Sequence, residues 1–478
     1  MSIFRKLKKS VGRGMGRCAF FFKEGQDAWE PSHLITSPRR KKLFQEWGIP
    51  TVERSPKIML TAGAGYGNVG DEAQLGASLG RWRRLIPEVQ LEVLTPSPDY
   101  TRHIHQVGTA WAPRVVWFHS NTDGTYFKSK WPFKLRFLWV WIRLTLTARC
   151  MRSGLPLAFA NEFEVDLLSR IRSVDVLHIS GGGFLTGMTV SRLWENALLM
   201  RLCQLLGTPY LLTGQTLGVF RSRWDRWLAR KSLMKADYIY LRDRGISEAE
   251  LKSIGVEGDH VKSTFDDALF FDSLDEEATK ALLSVNGIDP DRPYAIINFH
   301  YWGQNSEIRE RSCQRFAELS DYLTDQYGLQ LLFVPMAPSD EAAEDDVIAR
   351  MQHAGNATRL NYHYDYREAR SVYQLARMVF TMKHHPIIFA YGEGVPVLSV
   401  ALDDYYYHKN KGAMDNCGHG RYCLDQANFY SDQARVCLDT FFDEYDSLKE
   451  ELSCWLSQAR ALEAEPIERF ARSRGLGA

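Results

Sequence analysis

The chain has 478 residues, of which 45% are hydrophobic and 24% charged, and its formal net charge is +1. This length predicts two domains, and the composition is typical of a soluble globular protein. The near-neutral charge argues against nucleic acid as a partner, and the eight scattered cysteines, without a Cys-x-x-Cys pair, indicate a reducing compartment such as the cytoplasm.

Residues 1–55 are predicted to form a basic N-terminal extension to the first domain. Lysine and arginine recur among apolar residues before Glu24, and no acidic residue precedes it. The apolar run Cys18–Phe22 is too short for the core of a secretory signal. The extension could touch anionic lipid at a membrane surface or be a solvated tail, and both interpretations stay open.

A glycine-rich stretch, Gly63–Glu72, follows the apolar run Lys57–Thr61 and precedes an amphipathic run. This order predicts a strand, a turn and a helix at the start of a first α/β domain over residues 56–275. Glycines let a backbone approach a ligand closely, and free amides at a helix N-terminus favour an anion. The stretch fits neither the dinucleotide fingerprint nor the P-loop. Asp71 and Glu72 either cap the helix or act on a ligand.

An aromatic insertion, residues 100–165, interrupts the alternation of strands and helices in the first domain. At its centre, Trp131–Arg143 mixes tryptophan and phenylalanine with lysine and arginine. This run is too short and too charged to span a bilayer. Residues 131–149 are predicted either to lie at a membrane interface or to pack as an ordinary helix against the first domain.

Small or polar residues follow several later predicted strands. In the first domain these residues are Gly181–Gly183, Gln215 and Arg242. A second strand–helix series is predicted over residues 290–440, followed by a helical segment over 441–478. Because ligands of open α/β sheets bind beyond the carboxyl ends of the strands, these residues are expected to line one cleft. The predicted fold class is therefore α/β, with two Rossmann-like doubly wound domains facing each other across that cleft.

The second domain is predicted to supply cations to the cleft, namely Lys383, His384, His385 and Lys409. Together with Arg242 they would hold a small anion that bears phosphate or carboxylate groups. His385 lies where a strand meets a helix and suits proton transfer near neutral pH. No metal-ligand spacing and no Ser-His-Asp order stand out, so no metal is predicted.

Ordered short motifs occur across residues 57–430. They are Gly67–Ala73, Ser180–Gly183, Gly214–Gly218, Leu241–Asp243, Phe265–Ala268, Thr381–Pro386 and Gly394–Val397. In this order they resemble the polysaccharide pyruvyl transferase family. The resemblance implies a fold like that of the B-type glycosyltransferases and phosphoenolpyruvate as a co-substrate, without a cofactor. Such an enzyme moves the pyruvyl group onto two hydroxyls of a sugar, forms a cyclic ketal and releases phosphate.

The resemblance also implies roles for individual residues. His385 would protonate the enol carbon, and Asp71 would take a proton from the acceptor hydroxyl. The implied donor site consists of Arg242, Lys383, Lys409, Gly181, Gly182 and Gly183. The implied acceptor site, for a sugar of a bacterial surface polysaccharide or its lipid-linked precursor, consists of Asn68, Glu72 and Gln215.

Departures from the family pattern leave alternatives open. Lys383 stands where the family usually has arginine, which keeps the charge but loses the bidentate fork. A B-type glycosyltransferase with a nucleotide-sugar donor is the main alternative, and Glu393 or Asp403 would then hold the ribose. A binding protein that kept the cleft but lost turnover is another. Contact with the inner face of the plasma membrane also stays open, and no oligomeric state is predicted.

Overall fold

The computed structural model describes residues 55–118, 133–157, 160–187, 189–243, 245–301 and 306–476. The predicted basic extension, apart from residue 55, lies outside the described residues. Residues 119–132 of the aromatic insertion lie outside them as well.

A seven-stranded parallel sheet organises the first part of the chain, in the order β3-β2-β1-β4-β5-β6-β7. Its strands are β1 (Lys57–Thr61), β2 (Gln90–Thr95), β3 (Gly108–Trp111), β4 (Val176–Leu185), β5 (Tyr210–Leu217), β6 (Tyr238–Leu241) and β7 (Val261–Ser263). Its helices are α1 (Val69–Leu85), α2 (Pro98–His105), α3 (Pro113–Phe118), α4 (Phe133–Ser153), α5 (Glu162–Ser173), α6 (Val190–Leu206), α7 (Arg223–Leu233) and α8 (Ile246–Ser253). Both faces of the sheet are covered by buried apolar side chains.

A six-stranded parallel sheet organises the second part, in the order β10-β9-β8-β11-β12-β13. Its strands are β8 (Tyr294–Asn298), β9 (Gln330–Phe333), β10 (Ala357–Arg359), β11 (Met378–Thr381), β12 (Val397–Ala401) and β13 (Cys423–Asp425). The helices are α9 (Glu276–Val285), α10 (Ser306–Tyr327), α11 (Glu341–Ile348), α12 (Tyr366–Ser371), α13 (His384–Gly392), α14 (Asp404–Met414), α15 (Gln426–Phe429), α16 (Gln433–Asp443), α17 (Tyr445–Ala461) and α18 (Glu465–Arg474). The predicted fold class, two doubly wound α/β units, is confirmed.

Two helices tie the two units together. Val69 and Ala73 of α1 belong to the apolar core of the second unit, although α1 follows a strand of the first. The last helix, α18, returns to the first unit, where the ring of Phe470 meets that of Trp82 edge-on at 6.5 Å between centroids. Helix α18 therefore packs against the first unit.

The glycine run of β4 differs from its prediction. The sequence places Gly181–Gly183 in a turn after a strand, whereas β4 continues through the glycines to Leu185. Gly182 pairs with Gln215 of β5, and the register then shifts before Leu185. Positive φ angles of 50° at Gly181 and 116° at Gly182 allow this irregular strand, because other residues rarely adopt them.

Candidate active site

The candidate site lies between the two sheets, where the first turns of α1 and α13 meet. The amide of Val69 donates a hydrogen bond of 2.9 Å to the carbonyl of Met336, which fixes α1 against the second domain. Gly70 faces His385 so closely that a Cβ added to Gly70 would lie 2.0 Å from the imidazole Nδ1. Glycine at this position is therefore what lets the two helices approach.

This contact gives a matched pair of variants on α1. Gly70→Ala is expected to lower the free energy of unfolding by about 1–3 kcal/mol, because the new methyl group overpacks the His385 ring. Gly80→Ala is the control, since outside the helix backbone an added Cβ would approach nothing closer than Nη1 of Arg84, at 3.6 Å. The control should be neutral or stabilising by up to about 1 kcal/mol. Urea unfolding measures both variants, and equal stability of the two would contradict the close approach.

A buried carboxylate, Asp266, organises the floor of the site. Its Oδ2 accepts a hydrogen bond of 2.5 Å from Nη1 of Arg242 and one of 2.8 Å from Nε2 of Gln74. His384 contacts the same oxygen through Nε2 at 3.4 Å. Burial alone would raise the pKa of Asp266, but Arg242 and the two neighbouring histidines outweigh burial and hold that pKa well below its usual range. Asp266 is therefore ionised and holds Arg242 in place.

Arg242 keeps one donor group for a ligand. Its Nε donates to the hydroxyl of Thr216 at 2.7 Å, and Nη1 is held by Asp266. The buried Nη2 has no hydrogen-bond partner among the described residues. It lies beside Gly183, where an added Cβ would be 3.1 Å from Nη2 and 3.1 Å from the hydroxyl of Tyr405.

Gly181, Gly182 and Gly183 matter to the site mainly because they lack side chains, and less because of their backbone amides. The amide of Gly181 donates to Oδ2 of Asp267 at 2.9 Å and is already used within the protein. A Cβ on Gly182 would strike the ring of Phe184 at 2.2 Å. At Gly183 a Cβ would crowd Nη2 of Arg242 at 3.1 Å, so glycine is what lets this guanidinium lie against the strand. The amide of Gly181 is therefore engaged within the protein, while the assignment of the three glycines to the donor site stays a prediction.

Lys409, on α14, is the second cation beside Gly183. A Cβ on Gly183 would lie 3.8 Å from its Cε. The Nζ of Lys409 lies 5.8 Å from the centroid of the Tyr405 ring. Burial and the nearby Arg242 lower the pKa of Lys409 to about 7, against the opposing effect of Asp71. An anion bound beside Gly183 would favour the charged form of Lys409.

His385 is buried between the two domains. Its Nε2 has no hydrogen-bond partner among the described residues. Burial lowers the pKa of His385 to about 3, although the carboxylates of Asp71 and Asp266 act in the opposite direction. The imidazole is therefore neutral at pH 7 in the ligand-free site, and it becomes an acid only if a bound anion raises its pKa.

Lys383 is held by a carboxylate of its own domain. It precedes α13, and its ammonium group forms an ion pair with Asp340. The same Asp340 oxygen accepts hydrogen bonds from the amides of Met336 at 2.9 Å and Ala337 at 3.0 Å. Lys383 also acts on the pKa values of His300 and Lys409, so it belongs to the same group of charges. Its charge is already balanced before a ligand binds.

Three predicted acceptor residues have structural roles instead. Asn68 caps α1 by accepting hydrogen bonds from the amides of Gly70 and Asp71. The buried Glu72 accepts from the amide of Gly65 at 2.7 Å and pairs with His105 at 2.9 Å. Gln215 is buried, and its side-chain nitrogen donates to two backbone carbonyls. These partners hold the glycine loop and the sheet, so we correct the assignment of these residues to the acceptor.

Asp71 lies on the first-domain side of the cleft, close to Gly63. A Cβ on Gly63 would lie 3.0 Å from its carboxylate, and no hydrogen bond to that carboxylate is recorded within the described ranges. Asp71 acts on the pKa values of three cleft residues: His385, Lys409 and Arg192. Asp71 therefore belongs to the same group of charges, and its role toward the acceptor hydroxyl stays a prediction.

The residues that sequence reasoning missed form a wall of rings and guanidinium groups beside Asp71. The guanidinium carbons of Arg114 and Arg192 lie 5.0 and 5.4 Å from the centroid of the Tyr66 ring. Arg192 also lies over the ring of Phe184 at 5.7 Å. Arg114 is paired with Glu195 at 3.2 Å, whereas Arg192 has no carboxylate within 4.0 Å among the described residues. Tyr66 was visible inside the glycine-rich motif, but no sequence spacing linked it to the arginines.

The described residues contain no group of three or more His, Cys, Asp or Glu side chains that could hold a metal ion. The charged groups of the site themselves offer cations for an oxyanion, a neutral imidazole that can take up a proton, and a carboxylate that can accept one.

Comparison with known proteins agrees with this architecture. The model of the family described as polysaccharide pyruvyl transferase matches residues 68–404, more than half of the chain. No curated protein sequence matches the chain.

Several solved structures share the fold at low sequence identity. A glycosyltransferase from Rickettsia africae has a TM-score of 0.52 at 10% identity, over 88% of this chain and 99% of its own. Anabaena HepE in complex with UDP has a TM-score of 0.52 at 10% identity, over 87% of this chain and 100% of its own. The S. aureus MnaA–UDP structure has a TM-score of 0.53 at 12% identity, over 88% of this chain and 97% of its own. At these identities the likeness concerns the fold alone.

Proposed function

The chain belongs to the polysaccharide pyruvyl transferase family, a family of enzymes, and we propose that it transfers the pyruvyl group of phosphoenolpyruvate to a sugar of a bacterial surface polysaccharide or its lipid-linked precursor. The observation that carries this proposal is the pair of cations beside Gly183: the buried Arg242, whose Nη2 has no hydrogen-bond partner among the described residues, and the partly buried Lys409. Two neighbouring cations, one buried and one partly buried, favour a compact, multiply charged anion. Phosphoenolpyruvate, with a phosphate and a carboxylate, has that character.

The donor would bind with its anionic groups on these cations. Arg242 offers one donor group in a fixed direction, because Asp266 holds the rest of the guanidinium. Lys409 would become fully charged on contact with the anion, since its pKa is about 7 in the free site. Lys383 contributes at longer range, because Asp340 already neutralises it.

His385 would then supply the proton for the enol carbon. The bound dianion adds negative charge next to the imidazole and so raises its pKa from the low value that burial imposes. As the imidazolium donates its proton to C3 of the enol, positive charge develops at C2. The first acceptor hydroxyl adds its oxygen to C2 and gives its proton to Asp71, which completes one carbon–oxygen bond.

A second hydroxyl of the same sugar closes the ketal. Its oxygen bonds to C2 while the bond from C2 to the phosphate oxygen breaks, and its proton leaves with the inorganic phosphate. Asp71 returns its proton to His385 through solvent, so protons balance over the cycle. The ring of Tyr66 and the neighbouring Arg114 and Arg192 lie beside Asp71 and are a suitable surface for the acceptor sugar.

The nucleotide-sugar alternative has weaker support in the geometry. It needs a free carboxylate in the second domain for the ribose hydroxyls. Glu393 accepts a hydrogen bond of 2.5 Å from Arg370, and Asp403 caps α14 by accepting from the amide of Tyr406 at 2.8 Å. Both candidate carboxylates are therefore engaged within the protein.

Titration of Lys409 gives a pH-dependent prediction. The ammonium form is present below about pH 7 and lost above it, so anion binding at higher pH requires proton uptake. The dissociation constant for phosphoenolpyruvate is expected to rise by up to about tenfold per pH unit above neutrality, where the ligand phosphate is already a dianion. Lys409→Arg should flatten this profile, because guanidinium stays charged. Calorimetric titration measures both, and parallel profiles would rule out Lys409 as the titrating group.

The reaction itself is tested by incubating the enzyme with phosphoenolpyruvate and a panel of oligosaccharide acceptors. The expected result is release of inorganic phosphate that depends on the acceptor, together with the mass gain of a pyruvate ketal on the sugar. Consumption of a nucleotide sugar with no use of phosphoenolpyruvate would overturn the proposal.

A further inference from the structure

One face of α4 is apolar and exposed. Five large side chains, spaced three or four residues apart along one side of the helix, are between 43% and 60% exposed: Leu135, Leu138, Trp139, Ile142 and Leu146. The opposite side, with Phe137, Val140, Leu144 and Ala148, is buried against the first domain. The helix therefore packs as an ordinary helix on one side and presents an apolar stripe on the other.

A second exposed aromatic group lies on α7. Trp224 and Trp227 are 46% and 45% exposed, and their rings are stacked with centroids 4.9 Å apart. Trp194 of α6 links this pair to α4, since its ring is 6.4 Å from that of Trp224 and 4.5 Å from that of Phe137. The exposed residues of α4 and α7 therefore belong to neighbouring parts of one side of the first domain, which we call the α4–α7 surface.

The charges of the α4–α7 surface have one sign. Helix α4 contains no acidic residue. Asp225, the acidic residue of α7, is buried and accepts a hydrogen bond of 2.9 Å from Trp194. The exposed charged residues within the two helices, or adjoining them in sequence, are Lys134, Arg149, Arg152, Arg221, Arg223, Arg230, Lys231 and Lys235, whereas exposed acidic residues lie on the neighbouring helices α5 and α8. Within the described part of the chain, none of these basic residues has a carboxylate partner within 4.0 Å.

We infer that the α4–α7 surface docks on the headgroup region of an anionic lipid bilayer. Exposed tryptophan and leucine side chains rimmed by lysine and arginine are the composition that an interfacial helix needs, since the rings enter the headgroup zone while the cations meet anionic lipid. None of the described helices combines the length and the apolarity needed to cross a bilayer, so this contact would be peripheral.

The position of the surface relates it to the acceptor. Helix α6 lies beneath the surface and carries Arg192, which belongs to the aromatic and cationic wall next to Asp71. A bilayer against α4 and α7 would therefore lie on the acceptor side of the molecule. If the proposed function is correct, this orientation suits an acceptor that is anchored to a membrane lipid. The membrane contact itself does not depend on the reaction.

The test uses the full-length protein and sedimentation with vesicles of phosphatidylcholine, with and without phosphatidylglycerol. We expect binding to the anionic vesicles that weakens with added salt. Trp139→Gln/Ile142→Gln should lower the affinity for the anionic vesicles by at least about tenfold, because two apolar side chains that would insert into the bilayer are lost. Arg223→Gln/Arg230→Gln should weaken binding and its salt dependence together.

The matched control is Val436→Gln/Leu462→Gln, because these two side chains are also exposed, at 52% and 47%, but lie on other parts of the molecule. This control should bind vesicles as the wild type does. Turnover on a water-soluble acceptor should be unchanged in every variant, which separates failure of this inference from failure of the proposed reaction.

Three results would overturn the inference. The first is wild-type vesicle binding in Trp139→Gln/Ile142→Gln, including the case in which deletion of residues 1–50 alone abolishes binding. The second is the absence of any vesicle binding by the wild type. The third is a dimer in solution that the double variant dissociates, with no vesicle binding, which would assign the surface to a second copy of this chain.

Discussion

His385→Ala is expected to lower turnover with phosphoenolpyruvate by about 10²–10⁴-fold, the usual contribution of a positioned general acid. The donor should still bind with a dissociation constant within a few-fold of the wild type, because Arg242 and Lys409 hold its anionic groups. The reason is geometric: His385 lies beside Gly70 and Asp71 at the junction of the two domains, with a buried Nε2 that has no hydrogen-bond partner among the described residues.

Two further measurements make this prediction specific. His363→Ala is the control, since that side chain is 93% exposed and lies beside Glu368, away from the cleft, and it should leave turnover unchanged. Imidazole added to His385→Ala should restore part of the lost turnover by occupying the space of the missing ring. Full turnover in His385→Ala would exclude His385 as the acid. Unchanged biological function in a variant without turnover would favour the non-catalytic binding protein.

Asp266→Ala is expected to lower the free energy of unfolding by about 3–5 kcal/mol, because it leaves the guanidinium of Arg242 buried without its counter-charge. The side chains of Arg242 and Asp266 are each 1% exposed and 2.5 Å apart. Removal of Asp266 also takes acceptors from Gln74 and from the amide of Ala268. Urea unfolding measures the loss.

The control for Asp266→Ala is an ion pair at the surface. Asp99 pairs with Arg102 at 2.9 Å, but their side chains are 97% and 57% exposed. Asp99→Ala should therefore change stability by less than about 1 kcal/mol. Equal losses in the two variants would contradict the structural role assigned to Asp266. A smaller loss in Arg242→Met/Asp266→Leu than in Asp266→Ala would show that the uncompensated charge dominates the cost.

The sequence predicted which residues follow the ends of strands and therefore lie near the cleft. Arg242, His385 and Lys409 follow β6, β11 and β12, and the parallel sheets bring these ends to one cleft with Asp71. The fold class followed from the alternation of apolar runs and turns for the same reason. What a strand end cannot show is which partner a side chain meets across the molecule.

Side-chain partners account for the errors. Asn68 and Glu72 lie in the motif next to Asp71, yet one caps α1 and the other holds Gly65 and His105. Asp266 lies in the motif Phe265–Ala268, but the motif alone gives it no role. Its role depends on Arg242 and on His384, which lies 118 residues further along the chain. Such contacts are set by tertiary packing alone.

Burial explains the features of the site that the sequence did not predict, above all the pKa values of its residues. The sequence suggested a histidine that titrates near neutral pH, whereas burial lowers the pKa of His385 to about 3 and brings that of Lys409 to about 7. Desolvation depends on how the two domains close over a residue, and no local pattern reports it. The exposure of the apolar residues of α4 could not be predicted either, because an apolar stretch of sequence looks the same whether the protein buries it or leaves it exposed.

Thermal unfolding with phosphoenolpyruvate, and separately with UDP-glucose, tests the central claim most directly. A ligand at about 100 times its dissociation constant adds roughly 2.7 kcal/mol of stability, a clear rise in the unfolding midpoint. We predict a rise with phosphoenolpyruvate that is lost in Lys409→Ala, reduced in Lys383→Ala, and kept in Lys411→Ala, whose lysine is partly exposed and pairs with Asp415 on the same helix turn. A rise with UDP-glucose alone would contradict the proposed donor, and the fold would then serve a nucleotide-sugar reaction.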